Sequence, residues 1–166
     1  MSKRTFSVVW FFVFAVLASI GLYVSAPRLF VTGLDRQLML SVESRDAGRT
    51  RILLSKGANP NGTYYRSQRY VDAEPLLSFA VKNHDRENLD ALLDGGARIN
   101  KSDWLGRTAL MFAIELQNYA LASYLLDRGA DPAIKDRHGK TAYDRLQNGV
   151  QGYLGLRAKL MLSASL

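Results

Sequence analysis

Three groups of side chains have the types and spacing to do chemistry, and that chemistry is recognition. Tyr64, Tyr65, Arg66, Arg69 and Tyr70 crowd one short stretch; Trp104 and Leu105 stand beside Arg107; Arg137, His138 and Lys140 form the third group. Tyr, Trp and Arg bring large contact area and directed hydrogen bonds, so they are enriched where proteins grip one another. Groups for making and breaking bonds are not assembled in the same way. His84 and His138 have no carboxylate at metal-ligand spacing, and Asp72 and Glu74 are a lone pair in a polar stretch. No Gly-rich phosphate loop, nucleophile elbow or HExxH occurs. The absence of cysteine excludes disulfides, thiolate metal sites and a lipid-modified N-terminal cysteine. A binding protein is expected, not an enzyme, with no catalytic residues, metal, cofactor or small-molecule substrate.

The elements that must carry these groups are set by a repeat. Gly96-Ala97 recurs as Gly129-Ala130 at a spacing of 33, and Leu92-Leu93 recurs as Leu125-Leu126 at the same interval. Leu77 and Leu110, Ala80 and Ala113, Asp103 and Asp136, Gly106 and Gly139, and Thr108 and Thr141 keep the same spacing of 33. So many positions obeying one period point to a stack of similar units. Leu53-Leu54 followed by Gly57-Ala58 begins the series, but the spacing from Gly57 to Gly96 is 39. The surplus falls in Asn61–Ala73, an insertion that carries the whole tyrosine and arginine cluster, and insertions in repeats map to loops on one face.

On these residues the chain resembles the ankyrin repeat, a turn followed by two antiparallel helices. The resemblance covers about residues 34–162, with repeats near 34–61, 71–100, 103–132 and 136–166, and it is clearest in Asp103–Asp131. It implies an all-α solenoid of helix-turn-helix units, eight helices in four pairs, joined by short turn hairpins. It also implies that Gly106 takes a strained dihedral, that Thr108 caps a helix, and that Met111 replaces a bracing histidine. The tip positions of Trp104 and Leu105 are ones the family leaves variable and uses for binding. Successive tips project from one side of such an array, so the three groups are expected on one edge facing a protein partner. Two alternatives stay open: the insertion tyrosines pack on the neighbouring repeat, and Trp104 folds down onto the insertion.

Residue-level expectations follow. A helix is predicted over Leu34–Ser44, a turn at Arg45–Gly48, and a helix at Thr50–Ser55 that buries Ile52, Leu53 and Leu54. Pro75 is expected in the first turn of the next helix, where proline is tolerated. Asn83-His84-Asp85 reads as an inter-helix turn, with both histidines solvated. Leu89, Leu92, Leu93, Leu110, Ala113, Leu121, Leu125 and Leu126 are the predicted core. Asn88 departs from the usual aliphatic residue at its position, as Asp144 and Arg145 do in a terminal repeat. Asn148-Gly149 reads as a turn before a last amphipathic helix containing Tyr153 and Leu160.

The first thirty residues read differently. Phe6–Val24 is nineteen residues without a charge, and at about 1.5 Å per residue it spans roughly 28 Å, close to a bilayer core. Residues 1–26 are therefore expected to be a signal anchor, one transmembrane helix preceding the solenoid, with 27–33 a connector. Pro27 directly after Val24-Ser25-Ala26 obstructs cleavage, and the run exceeds a secretory h-region. The alternative is a form secreted after cleavage near Ala26. Lys3 and Arg4 before the run, against Arg28 and Arg36 after it, place the N-terminus in the cytoplasm and the body on the exported side. In a bacterium that side is the periplasm.

The whole chain carries a net charge of +7; without Lys3 and Arg4 the remaining 20 basic and 15 acidic residues leave +5. The basic residues form no run or nucleic-acid motif, so nucleic acid is not an expected partner. The expected function is a membrane-anchored protein-binding module, an immunity-type inhibitor or accessory of a partner enzyme. The alternative is a scaffold subunit of a membrane complex, its span packing through Ala15, Ser19 and Gly21.

Overall fold

The computed structural model describes residues 33–65 and 73–146. Within them seven helices and one small hairpin are arranged in chain order: α1 (Gly33–Glu43), α2 (Ala47–Ser55), β1 (Thr63–Tyr65), β2 (Ala73–Pro75), α3 (Leu76–Lys82), α4 (Arg86–Asp94), α5 (Ala109–Glu115), α6 (Tyr119–Asp127) and α7 (Ala142–Leu146). The inner helices α1, α3, α5 and α7 pack in succession, and α1, α3 and α5 each pair with the outer helix that follows. This is the expected helix-turn-helix solenoid. The eighth helix, with Asn148, Gly149, Tyr153 and Leu160, lies outside the described residues.

Each pair is built by the same local chemistry. The residue opening the inter-helix turn adopts a left-handed backbone in all three pairs: Arg45 at φ 59°, His84 at 54° and Gln117 at 56°. The next residue caps the outer helix. The side-chain oxygens of Asp46, Asp85 and Asn118 accept from the amides of Arg49 (2.8 Å), Asn88 (3.1 Å) and Leu121 (3.1 Å). Such caps satisfy amides that the helix leaves unpaired. The predicted four-residue turn at Arg45–Gly48 is thus shorter, because Asp46 starts the helix and Ala47 and Gly48 already belong to it. Thr108 caps α5 as expected, its Oγ1 accepting from the Met111 amide at 3.4 Å.

The core follows the period. Leu38, Leu77, Ala80, Leu89, Leu92, Leu110, Ala113 and Leu125 are buried together. Of each leucine pair, the first (Leu53, Leu92, Leu125) is buried and the second (Leu54, Leu93, Leu126) only partly so. Ile52, expected in the core, is 54% exposed instead. Its counterparts Ala91 and Tyr124 are buried or half-buried. Those two face a preceding helix, and among the described residues no helix lies on that side of α2. Asn88 sits fully buried, with its Nδ2 donating to Asp85 Oδ2 at 2.7 Å; the polar departure in the sequence becomes a bond that fixes the cap of its own helix.

Among the described residues the insertion brings the one departure from an all-helical body. Its ends pair antiparallel, Thr63 with Pro75, Tyr64 with Glu74 and Tyr65 with Ala73. Pro75 closes β2 and is the N-cap of α3 at φ −57°, ψ 141°. The expected place in the first helical turn is corrected by one residue, since Glu74 draws the backbone into the strand ladder. Among the described residues no helix is long and apolar enough to cross a membrane; Phe6–Val24 lies outside them.

Candidate functional site

The two hairpin tips that carry Trp104 and Arg137 are folded by one aspartate each. Asp103 Oδ1 accepts from the amides of Leu105 (2.9 Å) and Arg107 (2.8 Å), and the Asp103 amide donates to the Arg107 carbonyl at 2.9 Å. Asp136 repeats this with His138 (2.8 Å) and Lys140 (2.9 Å), and its amide donates to the Lys140 carbonyl. An aspartate does this well because its short carboxylate reaches its own backbone two residues on. The tips then dock on each other, the Arg137 amide donating to the Leu105 carbonyl at 2.8 Å. Gly106 allows the docking: its φ is +81°, and a Cβ there would stand 3.0 Å from the Asp136 Cα.

This docking sets the exposed surface. Trp104 is 47% exposed, and the Arg137 guanidinium lies 5.8 Å from its ring centre, within cation–π range. Leu105 is half-buried, while His138 and Lys140 are exposed on the adjoining tip. Trp104, Leu105, Arg137, His138 and Lys140 are therefore brought together as one aromatic and basic edge.

Arg107 is placed elsewhere. Its Nε donates to Asp103 Oδ2 at 3.0 Å, and its guanidinium lies 4.5 Å from the Phe112 ring centre. Its side chain is half-buried within the tip. Tyr64 is also taken up by the fold: its ring stacks on Phe79 at 3.9 Å between centres, and its hydroxyl donates to Glu43 Oε1 at 3.0 Å. For this tyrosine the packing alternative holds. The side chain of Tyr65 and all of Arg66, Arg69 and Tyr70 lie outside the described residues.

Two organising residues had no signal of their own in the sequence. Asn61, at the base of the insertion, accepts from the Arg98 amide at 2.8 Å, and its carbonyl accepts from Lys101 Nζ. It thereby roots the insertion beside the loop that leads to Trp104. Burial, and secondarily the charge of Arg98, holds the Lys101 pKa below its ordinary value. The other is Arg145, noted in the sequence only as a departure, which reaches back to both Glu115 and Asp136. Burial lowers its pKa first, with Arg107 adding to the effect and Asp103 opposing it. The Asp136 carboxylate thus folds its own tip with one oxygen and fastens the tip to α7 with the other.

Both histidines lie at the surface. His84 is exposed, its Nδ1 3.2 Å from Asn118 Nδ2, and His138 is exposed on its tip. Among the described residues no group of three or more His, Asp or Glu could hold a metal ion.

Stacked helix pairs with outward hairpin tips define an α-solenoid, a class that binds other proteins through extended repeated surfaces. The chain belongs to the ankyrin repeat family: the family model described as "Ankyrin repeats (3 copies)" matches residues 38–136. Among curated relatives, it is 38% identical over 86 residues to a putative ankyrin repeat protein of Acanthamoeba polyphaga mimivirus, covering 51% of each chain. It is 31% identical over 101 residues to a putative ankyrin repeat protein of fowlpox virus, covering 61% of this chain and 22% of that one. A 56-residue match at 50% identity to an L-asparaginase of Dirofilaria immitis covers 34% of this chain and 10% of the enzyme. The chain thus spans about half the length or less of each of these relatives. The repeats make it a protein–protein interaction module.

Proposed function

We propose that this is a membrane-anchored ankyrin module that grips a protein partner at the exported face of the membrane through the Trp104 edge. The observation that carries the reading is Trp104 itself. A tryptophan left 47% exposed on a rigid tip, with Arg137 over its ring, keeps in water a large surface that a partner could bury. Aromatic anchors flanked by positive charge suit a partner with an acidic, partly apolar patch. Tyr65, Arg66, Arg69 and Tyr70 extend this edge in the proposal, since the base of their insertion is rooted beside the same hairpin. The uncharged Phe6–Val24 run supports the anchor, and its flanking charges support the exported orientation. Confinement near the bilayer raises the effective concentration for partners held there, as an immunity-type inhibitor or an accessory of an enzyme requires.

Capture of the full chain from gentle detergent, followed by mass spectrometry, identifies the partner. Trp104→Ala is expected to weaken that complex by about 2 kcal/mol or more, with its unfolding midpoint unchanged. Normal binding by Trp104→Ala and by Arg137→Ala would show that the partner uses another surface. Protease added to sealed membranes should reach the body from the exported side only. Recovery of a soluble form beginning at Pro27 would replace the anchor with a cleaved signal.

A further inference from the structure

The N-terminal end of the array is built to be covered. In the later repeats, the corresponding positions of the outer helices face the helix before them. A Cβ on Gly95 would meet Leu54 Cδ1 of α2 at 2.8 Å, and Ala91 is buried. One repeat on, Tyr124 takes the place of Ala91: its ring lies 3.3 Å from the Arg86 guanidinium, and its hydroxyl donates to Asp90. Arg128, in the place of Gly95, reaches Asp94 at 2.8 Å. The inner helices behave alike, for Phe112 of α5 is covered by Lys82 of α3. In the first repeat these positions are Ile52, Lys56 and Leu40. No preceding unit lies against them among the described residues, and Leu40 and Ile52 are 45% and 54% exposed.

A terminal repeat ordinarily turns a polar face outward. This one shows two large aliphatic side chains with Arg49, Arg51 and Lys56 exposed around them. The carboxylates of these two helices are already engaged. Glu43 accepts from the Tyr64 hydroxyl, Asp46 caps α2, and Asp35 accepts from the Asn59 amide at 2.8 Å. These bonds orient the three carboxylates but leave them charged; Arg36, Arg45, Arg49, Arg51 and Lys56 outnumber them five to three, so this end carries net positive charge around an apolar centre. Two copies meeting through it would oppose like charges, which disfavours self-association. An anionic lipid surface answers both features, because its headgroups neutralise arginine and lysine while aliphatic side chains settle at the boundary of the acyl region.

Chain order brings that surface within reach. The uncharged run ends at Val24 and α1 begins at Gly33, nine residues later, a distance of at most roughly 30 Å even when fully extended.

We propose that the open end of the array, Leu40 and Ile52 ringed by Arg49, Arg51 and Lys56, rests on anionic lipid headgroups. The proposal builds on the anchor reading. Each cation close to such a surface strengthens the association about fivefold, and added salt weakens it.

The chain's lack of cysteine permits a direct test on the full-length protein in lipid vesicles. A fluorophore is attached at Ile52→Cys or, as the control, at exposed Ser102→Cys, and headgroup-labelled quencher lipids are added. The Ile52 probe should be quenched well beyond the Ser102 probe in phosphatidylglycerol-containing vesicles, and no more than it in purely phosphatidylcholine vesicles. Reversing the charges with Arg49→Glu, Arg51→Glu and Lys56→Glu should remove the difference; all three residues are exposed, and an unchanged far-ultraviolet spectrum verifies folding. Equal quenching of both probes in anionic vesicles overturns the proposal, whether the face stays in water or is covered by protein. So does full quenching in the charge-reversed chain. Carbonate-resistant flotation, read in parallel, tests the anchor by itself. Flotation without differential quenching keeps the anchor and removes the lipid-facing end; differential quenching on protein that carbonate strips away does the reverse.

Discussion

Phe79 and Phe112 occupy the same position of successive inner helices, one period of 33 apart, and their different covers explain two aromatic residues of opposite fate. Over Phe79 lies the Tyr64 ring of the insertion, with Glu43 placed to accept the tyrosine hydroxyl. Over Phe112 lie two cations, Arg107 at 4.5 Å and Lys82 at 5.3 Å. The insertion therefore supplies a ring that is consumed by packing. In the third repeat the cover is made by Arg107 and Lys82, and Trp104 is left 47% exposed. It stays outside, with Arg137 its cationic neighbour. An aromatic residue of a loop is packed where it completes the cover of a core ring, and is left exposed where that cover is made by others.

Both regions hang from one leucine stack, so the largest expected effect comes from breaking it. Leu125→Ala and Leu92→Ala should each lose about 2–5 kcal/mol in denaturant unfolding of residues 27–166, the range for truncating a buried leucine. Leu126→Ala, at a partly buried site, should lose less. Equal losses would mean that the two leucines of a pair are not divided between core and boundary.

The next effect tests the Trp104 side alone. Arg145→Ala removes the partner that Asp136 and Glu115 share. About 2–3 kcal/mol should be lost, near the lower end for breaking a buried pair, because Asp136 keeps two backbone donors. The amide resonances of the Arg137–Lys140 tip should shift while those of the insertion base stay in place.

A smaller pair of effects bears on the comparison itself. Tyr64→Ala should lower stability by about 1–2 kcal/mol through the lost stack and hydroxyl bond. Trp104→Ala should remain within about 0.5 kcal/mol of the parent, as surface changes do. If Trp104→Ala proves the more damaging, the roles of the two aromatic residues are reversed.

The smallest effect is a pH dependence at the edge of the array. The Thr141 amide, and next the Thr141 hydroxyl, donate to Asp144 Oδ2 at 2.8 Å and hold its pKa below the ordinary carboxylate value. A carboxylate whose folded pKa is depressed contributes stability above its unfolded pKa, and that contribution is lost as pH falls through the folded value. The protection of the amides at the start of α7, taken relative to the intrinsic exchange rate at each pH, should therefore fall as pH drops below the usual carboxylate range, and Asp144→Asn should remove that fall.

The sequence by itself determined the repeat, its register and most of its core, because a single period ties each leucine and glycine to counterparts whose environment is the same. It also located the insertion, from a spacing of 39 where the others are 33, the helix cap at Thr108 and the Asn83-His84-Asp85 turn, since these are chemistry between near neighbours in the chain. Only the tertiary structure decided matters that depend on which residues meet across repeats. Ile52 is aliphatic and periodic, yet exposed, because its counterparts are buried by a preceding helix and no such helix covers it among the described residues. Tyr64 and Trp104 look equally suited to recognition as sequence. Their difference lies in Phe79 and Glu43 for the one and in Arg107 and Lys82 for the other, all but Arg107 drawn from other helices of the array. Local patterns specify what a residue can do, but burial depends on what the rest of the chain brings to it.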